Sequence, residues 1–470
     1  MTDEKRPGRF LLWLVALGVF MQMLDSTIVN TALPSMASGL GEKPLRMQSV
    51  VIAYALTMAM LIPASGWLAD RFGTRRVFFA AIVLFTLGSL ACASSRNLGE
   101  IVAARVLQGL GGSMLLPVGR LAVLRSYPRG EFLRAMSFVT LPGLIGPLIG
   151  PTLGGWLVQA ASWHWIFLIN LPVGVVAAAA TLRFMPDART AVARFDLGGY
   201  LMLSFSMVAL SLSLDGLSEL GLHHATVLVL LIFGMASFVA YWLHATRTPK
   251  PLFSPQLFRV HTFRVGVLGN LFSRIGSGSM PFLIPLLLQV SLGYSPRDAG
   301  MMMIPVALAG MASKRLVVPL IKELGYRRVL IGNTLLVGFA MASFALISPG
   351  QPLWLRIVQL AFFGMVNSLQ FTAMNTVTLR DLEGELASGG NGLLSMVMML
   401  SMSLGVATAS GLLATFTEAF GSERGVAVLP AFHATFVCVG LVTAASAWIF
   451  WQLQPERRPE AVPLKPETGD

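Results

Sequence analysis

The sequence predicts an all-α membrane protein of fourteen transmembrane helices, on three grounds: its composition, the length of its apolar stretches, and the placement of its basic residues. Hydrophobic residues fill 55% of the 470 positions and charged residues only 12%, against roughly 25% charged in a soluble domain. A water-soluble fold could not cover that much apolar surface. Most of the chain divides into apolar stretches of about 20 residues, the length a helix rising ~1.5 Å per residue needs to cross ~30 Å of hydrocarbon.

Helices are expected at about 11–33, 49–69, 77–95, 98–123, 134–160, 164–183, 197–216, 224–246, 262–290, 297–319, 329–348, 353–378, 386–417 and 430–453. The first stretch follows Lys5, Arg6 and Arg9 as a secretory leader would. It is about 23 residues long, carries Asp25 and lacks a small-residue cleavage site, so it is expected to be kept as the first helix.

Basic residues set the orientation. With the amino terminus in the cytoplasm, 25 of the 34 fall in inside segments, from Lys5 to Lys465. Six fall outside: Lys43, Arg46, Arg96, Arg297, Arg356 and Arg424. This positive-inside bias puts both termini in the cytoplasm and requires an even helix count. It also explains the net charge of +12 without nucleic acid, since the charge is spread over eight short segments and forms no single patch. Cys92 and Cys438 lie in apolar stretches with no CxxC pair and no His cluster, which makes both packing residues and argues against a disulfide or a metal site.

An internal echo divides the chain. Asp70-Arg71-Phe72-Gly73-Thr74-Arg75-Arg76 after the second helix matches Lys322-Glu323-Leu324-Gly325-Tyr326-Arg327-Arg328 after the tenth, with acidic and basic positions exchanged. Carriers are commonly built from repeated bundles. The spacing suggests six helices in 1–190, two inserted helices in 191–260, six more in 261–455, and a cytoplasmic tail, 456–470.

The loop Gly66-Trp67-Leu68-Ala69-Asp70-Arg71-Phe72-Gly73-Thr74-Arg75-Arg76 packs a glycine pair, an acid and three arginines into one tight turn. Gly66 permits close helix approach, Gly73 permits a positive φ, and Asp70 can take charge-assisted bonds. The residues alone fit either a latch between bundles or an ordinary basic loop. This stretch resembles the signature loop of the major facilitator superfamily. Leu24-Asp25-Ser26-Thr27-Ile28-Val29-Asn30-Thr31-Ala32-Leu33-Pro34 resembles the first-helix motif of that family's fourteen-helix drug:proton antiporter branch. Arg105-Val106-Leu107-Gln108-Gly109-Leu110-Gly111-Gly112 is similar to its fourth-helix motif, which the family associates with proton transfer. Gly143-Leu144-Ile145-Gly146-Pro147-Leu148-Ile149-Gly150-Pro151-Thr152-Leu153-Gly154-Gly155 is similar to its fifth-helix antiporter motif, and the segment Ser162 to Gly174 is also typical of the branch. The resemblance spans nearly the whole chain and implies a major facilitator fold arranged as six, two and six helices. It implies a bacterial inner-membrane exporter that exchanges small molecules for protons.

Residue chemistry points the same way independently. Of 22 carboxylates only Asp25 lies well inside an expected span, whereas Asp215 sits near a helix end. A charge at mid-membrane costs roughly 2.5–3.5 kcal/mol on insertion scales, so Asp25 is the leading proton carrier. Asp25 and Arg105 each lie about eight residues, ~12 Å, below an outer helix end. Equal depth allows them to pair if the first and fourth helices adjoin. The proton-carrier reading needs that carboxyl beside the seam between two helical halves, within reach of a solvent-filled vestibule; a static buried ion pair is the competing reading.

Glycines 143, 146, 150, 154 and 155 of the fifth helix make small-xxx-small spacings, and Pro147 and Pro151 weaken its backbone ladder, so it can pack closely or bend. Arg274, ~18 Å from the inner end of the ninth helix, should face a cavity, a carboxylate or an anionic substrate. It keeps open organic anions or metal-carboxylate chelates as cargo. Gln108, Asn270, Asn367 and Gln370 are further candidates to line the substrate cavity, and Asn170, Asn375 and Asn391 could also line the route, with interhelical hydrogen bonding as the alternative for each. Most of the 25 methionines should be packing residues. No GxxxxGK[ST] loop occurs, so an ion gradient is the expected drive. The expected partners are a small-molecule substrate, protons and the lipid bilayer, with no cofactor, no metal and no enzymatic activity, in a monomer. A non-coupled channel or membrane sensor is the rival from another class, for it would need neither a buried acid nor paired bundles.

Overall fold

The computed structural model describes residues 9–189, 194–216, 224–420 and 429–454, and these are helical throughout apart from short connections. Lys5, Arg6, Arg424, Arg457, Arg458, Lys465 and the expected tail lie outside the described residues. In chain order the helices are α1 (Arg9–Leu40), α2 (Gln48–Phe72), α3 (Thr74–Ser94), α4 (Leu98–Ser126) and α5 (Arg129–Ala160). They continue as α6 (Trp165–Phe184), α7 (Leu197–Gly216), α8 (His224–Arg247), α9 (His261–Ser291), α10 (Pro296–Leu346), α11 (Leu353–Leu379), α12 (Gly384–Ala419) and α13 (Leu429–Trp451).

Twelve of them, all but α5, are long and apolar enough among the described residues to cross a membrane. The protein is therefore a multi-pass membrane protein. The stretch forming α10 is 51 residues long, too long for one crossing at ~1.5 Å per residue. It breaks at Gly325, whose φ of 76° and ψ of 158° are not helical. α5 itself runs for 32 residues.

Local chemistry sets the helix ends. Asn97 caps α4 by accepting from the Glu100 N–H at 2.9 Å, which satisfies one of the helix's orphan donors, while the Glu100 carboxylate reaches back to accept from the Arg96 N–H at 2.7 Å. Gly73 separates α2 from α3 at φ 96°. The two positive-φ glycines that break long helical runs, Gly73 and Gly325, fall at matching positions of the internal echo. α1 outruns its expected end: Pro34 sits inside the helix, which continues to Leu40.

The two ends of the bundle pack differently. At the end opposite the described chain ends, one core contains Ile28, Val29 and Leu33 of α1 and Ile166 and Phe167 of α6. The same core contains Phe282 and Leu286 of α9, Phe363 of α11 and Phe432 of α13. There the Gln289 side-chain amide donates to the Thr31 carbonyl at 2.8 Å, and α5 touches α10 backbone to backbone: a Cβ on Gly155 would strike the Pro296 carbonyl, and one on Gly300 the Pro151 carbonyl. Towards the other end, one core is built from α1–α6 and smaller ones from α9, α10, α11 and α13, while a further core joins Leu56 and Ala59 of α2 to buried residues of α7, α8, α9 and α12. α7 and α8 pack chiefly on each other. α7 is tied to α12 by Ser211–Ser403 at 2.9 Å and to α2 by Gln48–Asp215 at 2.8 Å. α8 is the least buried of these helices, while Leu203 and Met207 of α7 share a core with α2, α9 and α12, so the pair sits against the main bundle with α8 on its outer side.

Candidate functional site

The first constellation centres on Asp25. α1 and α4 adjoin, and equal depth brings the two mid-membrane charges of α1–α6 together: an Arg105 Nη1–H donates to Asp25 Oδ2 at 2.6 Å. Neither residue exposes more than 1% of its surface. Gln108, one helical turn beyond Arg105, donates to Asp25 Oδ1 at 2.7 Å and to the Ser89 hydroxyl at 2.8 Å. The Asn170 amide of α6 donates to the same carboxylate oxygen at 3.2 Å. Arg105 also donates to the Gln108 side-chain oxygen at 2.6 Å and, through Nε, to the Val50 carbonyl of α2 at 3.3 Å. Its guanidinium lies 4.1 Å from the centre of the Tyr54 ring, a cation–π geometry. Gly88 makes the packing possible, because a Cβ there would come within 2.5 Å of the Gln108 backbone.

This geometry corrects two expectations. Gln108 does not line a cavity; it is fully buried as a ligand of Asp25. Asp25 is not open to a vestibule either: it is 0% exposed, because α1 turns it towards α3, α4 and α6 and every hydrogen-bond donor it has comes from α4 or α6. Sequence reasoning missed Ser89 and Tyr54 and treated Asn170 as one polar residue among many. Cys92 stands where packing was expected, buried with its thiol 3.8 Å from Gln108.

The basic loop is held inside the first six helices. Asp70 pairs with Arg125 of α4, Arg125 also donates to the Ala188 carbonyl at 3.2 Å, and Thr74 donates to the Pro186 carbonyl at 2.8 Å. Arg75 donates to the Met185 carbonyl. A Cβ on Gly73 would strike the Asp187 carboxylate, and Arg71 sits over the Trp67 ring at 5.6 Å. The loop thus clasps the segment after α6 in this structure. A latch between bundles is not what these contacts form. A Cβ on Gly66 would meet nothing within 4 Å among the described residues, and Arg76 is exposed.

On α5 the glycine spacing does bring helices together. A Cβ on Gly146 would sit 2.8 Å from the Leu24 nitrogen, one on Gly154 would sit 2.6 Å from the Ile28 carbonyl, and one on Gly150 would strike the Thr27 hydroxyl, all on α1. Gly155 and Pro151 face α10 instead. Pro147 is exposed, and the surroundings of Gly143 lie outside the described residues.

A second constellation sits between α9 and α11. Arg274 is half-buried; its Nε donates to the Asn270 side-chain oxygen at 3.0 Å and its guanidinium lies 4.4 Å from the Phe371 ring centre. Its buried Nη2 has no partner among the described residues. Asn270 is fully buried and also donates to the Gly266 carbonyl at 3.0 Å, so it supports Arg274 and lines no open space. Gln370 is likewise buried, taken up by Asn333 at 2.8 Å and Thr334 at 2.6 Å of α10. Asn367 remains half-exposed, one helical turn before Phe371 on α11.

The profile of the Major Facilitator Superfamily matches residues 15–406 and 267–469. A protein of Serratia proteamaculans named for multidrug resistance, MdtD, is 53% identical over 443 residues, covering 93% of this chain and 92% of its own. The MdtD of Cronobacter sakazakii is 51% identical over 467 residues, covering 98% of both. Among solved structures, a POT family transporter in complex with 5-aminolevulinic acid superposes with a TM-score of 0.69 at 16% identity, over 93% of this chain and 94% of that one. A D-xylose-proton symporter gives 0.66 at 15% identity, over 95% and 98%. At those identities the likeness is one of fold.

Proposed function

Because the chain belongs to the Major Facilitator Superfamily and is a transporter, not an enzyme, we propose that it is a proton-coupled antiporter exporting small molecules by alternating access. Asp25 carries the proton and Arg105 is its counter-charge. The observation that carries this reading is the enclosed Asp25–Arg105 pair, whose ligands come from α1, α2, α4 and α6. A coupling site must be shut off from at least one side at every stage, or protons would leak. Full enclosure corresponds to the stage closed to both sides; at another stage of the cycle a vestibule must reach Asp25. Loss of the carboxylate charge would free Arg105 from α1 while Gln108, Val50 and Tyr54 keep hold of it. α1 in turn carries the contacts to α5 at Ile28 and to α9 at Thr31, so its release would be felt across the closed end.

The fourteen-helix count in a six, two and six division draws support from three features. α10 breaks at Gly325, α5 is 32 residues long, and α7 and α8 pack chiefly on each other. Both termini in the cytoplasm of a bacterial inner membrane remains the orientation the Lys and Arg bias favours.

The relatives' name supports multidrug-type cargo. Arg274, with its unpartnered Nη2 beside Phe371, favours an organic anion or metal-carboxylate chelate as a second reading. Reconstituted vesicles test both. A pH jump should drive movement of a transported compound, and Asp25→Asn should abolish the pH drive while leaving the protein folded. Unchanged gradient-driven transport in that variant would leave Asp25–Arg105 a static structural pair. Arg274→Ala should impair anionic cargo more than lipophilic cations; equal losses would count against the anion reading.

A further inference from the structure

A groove of about 550 Å³ runs beside the contact between α5 and α10, at the end opposite the described chain ends. That is within the size range of small-molecule sites. Leu148, Ile149 and Trp156 of α5 line one wall, Met301 and Leu308 of α10 the other, and Arg297 stands at one end. On α5, Gly146, Gly150 and Gly154 meet α1. At 3.6 residues per turn, Ile149 and Trp156 project roughly 100–120° round the helix from that face. Both are exposed, at 41% and 53%. The groove therefore opens towards lipid, away from α1.

Arg297 is exposed and forms no ion pair among the described residues. The adjacent Asp298 carboxylate is engaged by the Ser295 hydroxyl at 2.7 Å. From Arg297 to Leu308 the helix rises ~16 Å, about half of a ~30 Å hydrocarbon core and so the depth of one leaflet. A single cation at headgroup level above an apolar trough one leaflet deep, flanked by an exposed Trp of the kind found at membrane interfaces, is complementary to an anionic lipid. We propose that this groove binds one anionic phospholipid, an acyl chain lying between α5 and α10 and the phosphate on Arg297.

The position gives such a lipid a consequence. It borders the place where Gly155 meets Pro296 and Gly300 meets Pro151, with Thr152 donating to the Gly300 carbonyl at 3.2 Å. A lipid spanning both walls favours the arrangement in which those walls touch, since a ligand shifts an equilibrium by its preference between the states.

The test is native mass spectrometry of the full chain released from vesicles containing phosphatidylglycerol and phosphatidylcholine. The wild type is compared with Arg297→Gln and with Leu308→Trp, which fills the trough; melting temperatures confirm that both variants fold. The wild type should retain one phosphatidylglycerol, and either variant should retain at least about tenfold less, the scale of a charge-assisted hydrogen bond. Equal retention by all three proteins would overturn the proposal. So would phosphatidylcholine held as strongly as phosphatidylglycerol, which would mean chain contact without recognition of charge, or a second copy of the chain on this face in place of lipid.

Discussion

Replacing Arg105 with Gln probes the Asp25 pair directly. The structure buries both groups almost completely and holds them 2.6 Å apart. Removing one member of a buried pair costs about 3–5 kcal/mol, because the survivor keeps its desolvation penalty without its counter-charge. Asp25 would still accept from Gln108 and Asn170, and hydrogen bonds to a charged group are worth roughly 1.5–3 kcal/mol each. The expected loss is therefore near the lower end, about 3 kcal/mol. Asp25→Asn in the same protein removes the stranded charge, so the double variant should be more stable than Arg105→Gln alone. Unfolding in mixed micelles of rising SDS fraction measures all four proteins of the cycle. Two single effects that simply add, within about 0.5 kcal/mol, would refute the claim that the two groups form one electrostatic unit.

Other perturbations follow from the same contacts. Gly73→Ala places a side chain at φ 96° against Asp187, and should cost at least about 1–2 kcal/mol, read as a lower melting temperature; an unchanged value would show that the loop yields easily. Gly150→Leu should push α1 from α5 at Thr27 and reduce transport before it reduces expression, checked by vesicle flux per folded protein. Asp196, at the start of α7, gives a pH dependence. Burial raises its pKa, but bonds from the Gly199 N–H, His244 and the Leu252 N–H outweigh burial and leave it below the usual carboxylate value. A carboxyl lowered in the folded state stabilises above its unfolded pKa, ~3.9, and loses that contribution as pH falls through the folded value. The melting-temperature advantage of the wild type over Asp196→Asn should thus shrink as pH falls below about 4.

Much of this was legible in the sequence because a membrane leaves few choices. Apolar length located the helices, although α1 runs several residues past its expected end, where polar residues such as Ser38 continue the helix beyond the apolar stretch. Asp25 and Arg105 could be paired by equal depth on the condition that the first and fourth helices adjoin, since charges are scarce there. Gln108 lies three residues beyond Arg105 and shares its helix face; read together, the two point to one carboxylate. Ser89, Asn170 and Tyr54 could not be found that way, because an isolated polar residue in an apolar helix gives no hint of which neighbour it meets. The clasp between Thr74, Arg75 and residues 185–188 was hidden for the same reason: the first turn of α3 meets the segment after α6 only through the way α2, α3 and α6 pack.

The most direct measurement is difference infrared spectroscopy of the purified carrier in lipid between acid and alkaline pH, wild type against Asp25→Asn. If Asp25 loads and unloads a proton, the wild type shows a carboxylic-acid carbonyl band that rises on acidification and is missing from the variant. Identical difference spectra from the two proteins would mean that Asp25 keeps one charge state throughout, and the proposed coupling would fail with it.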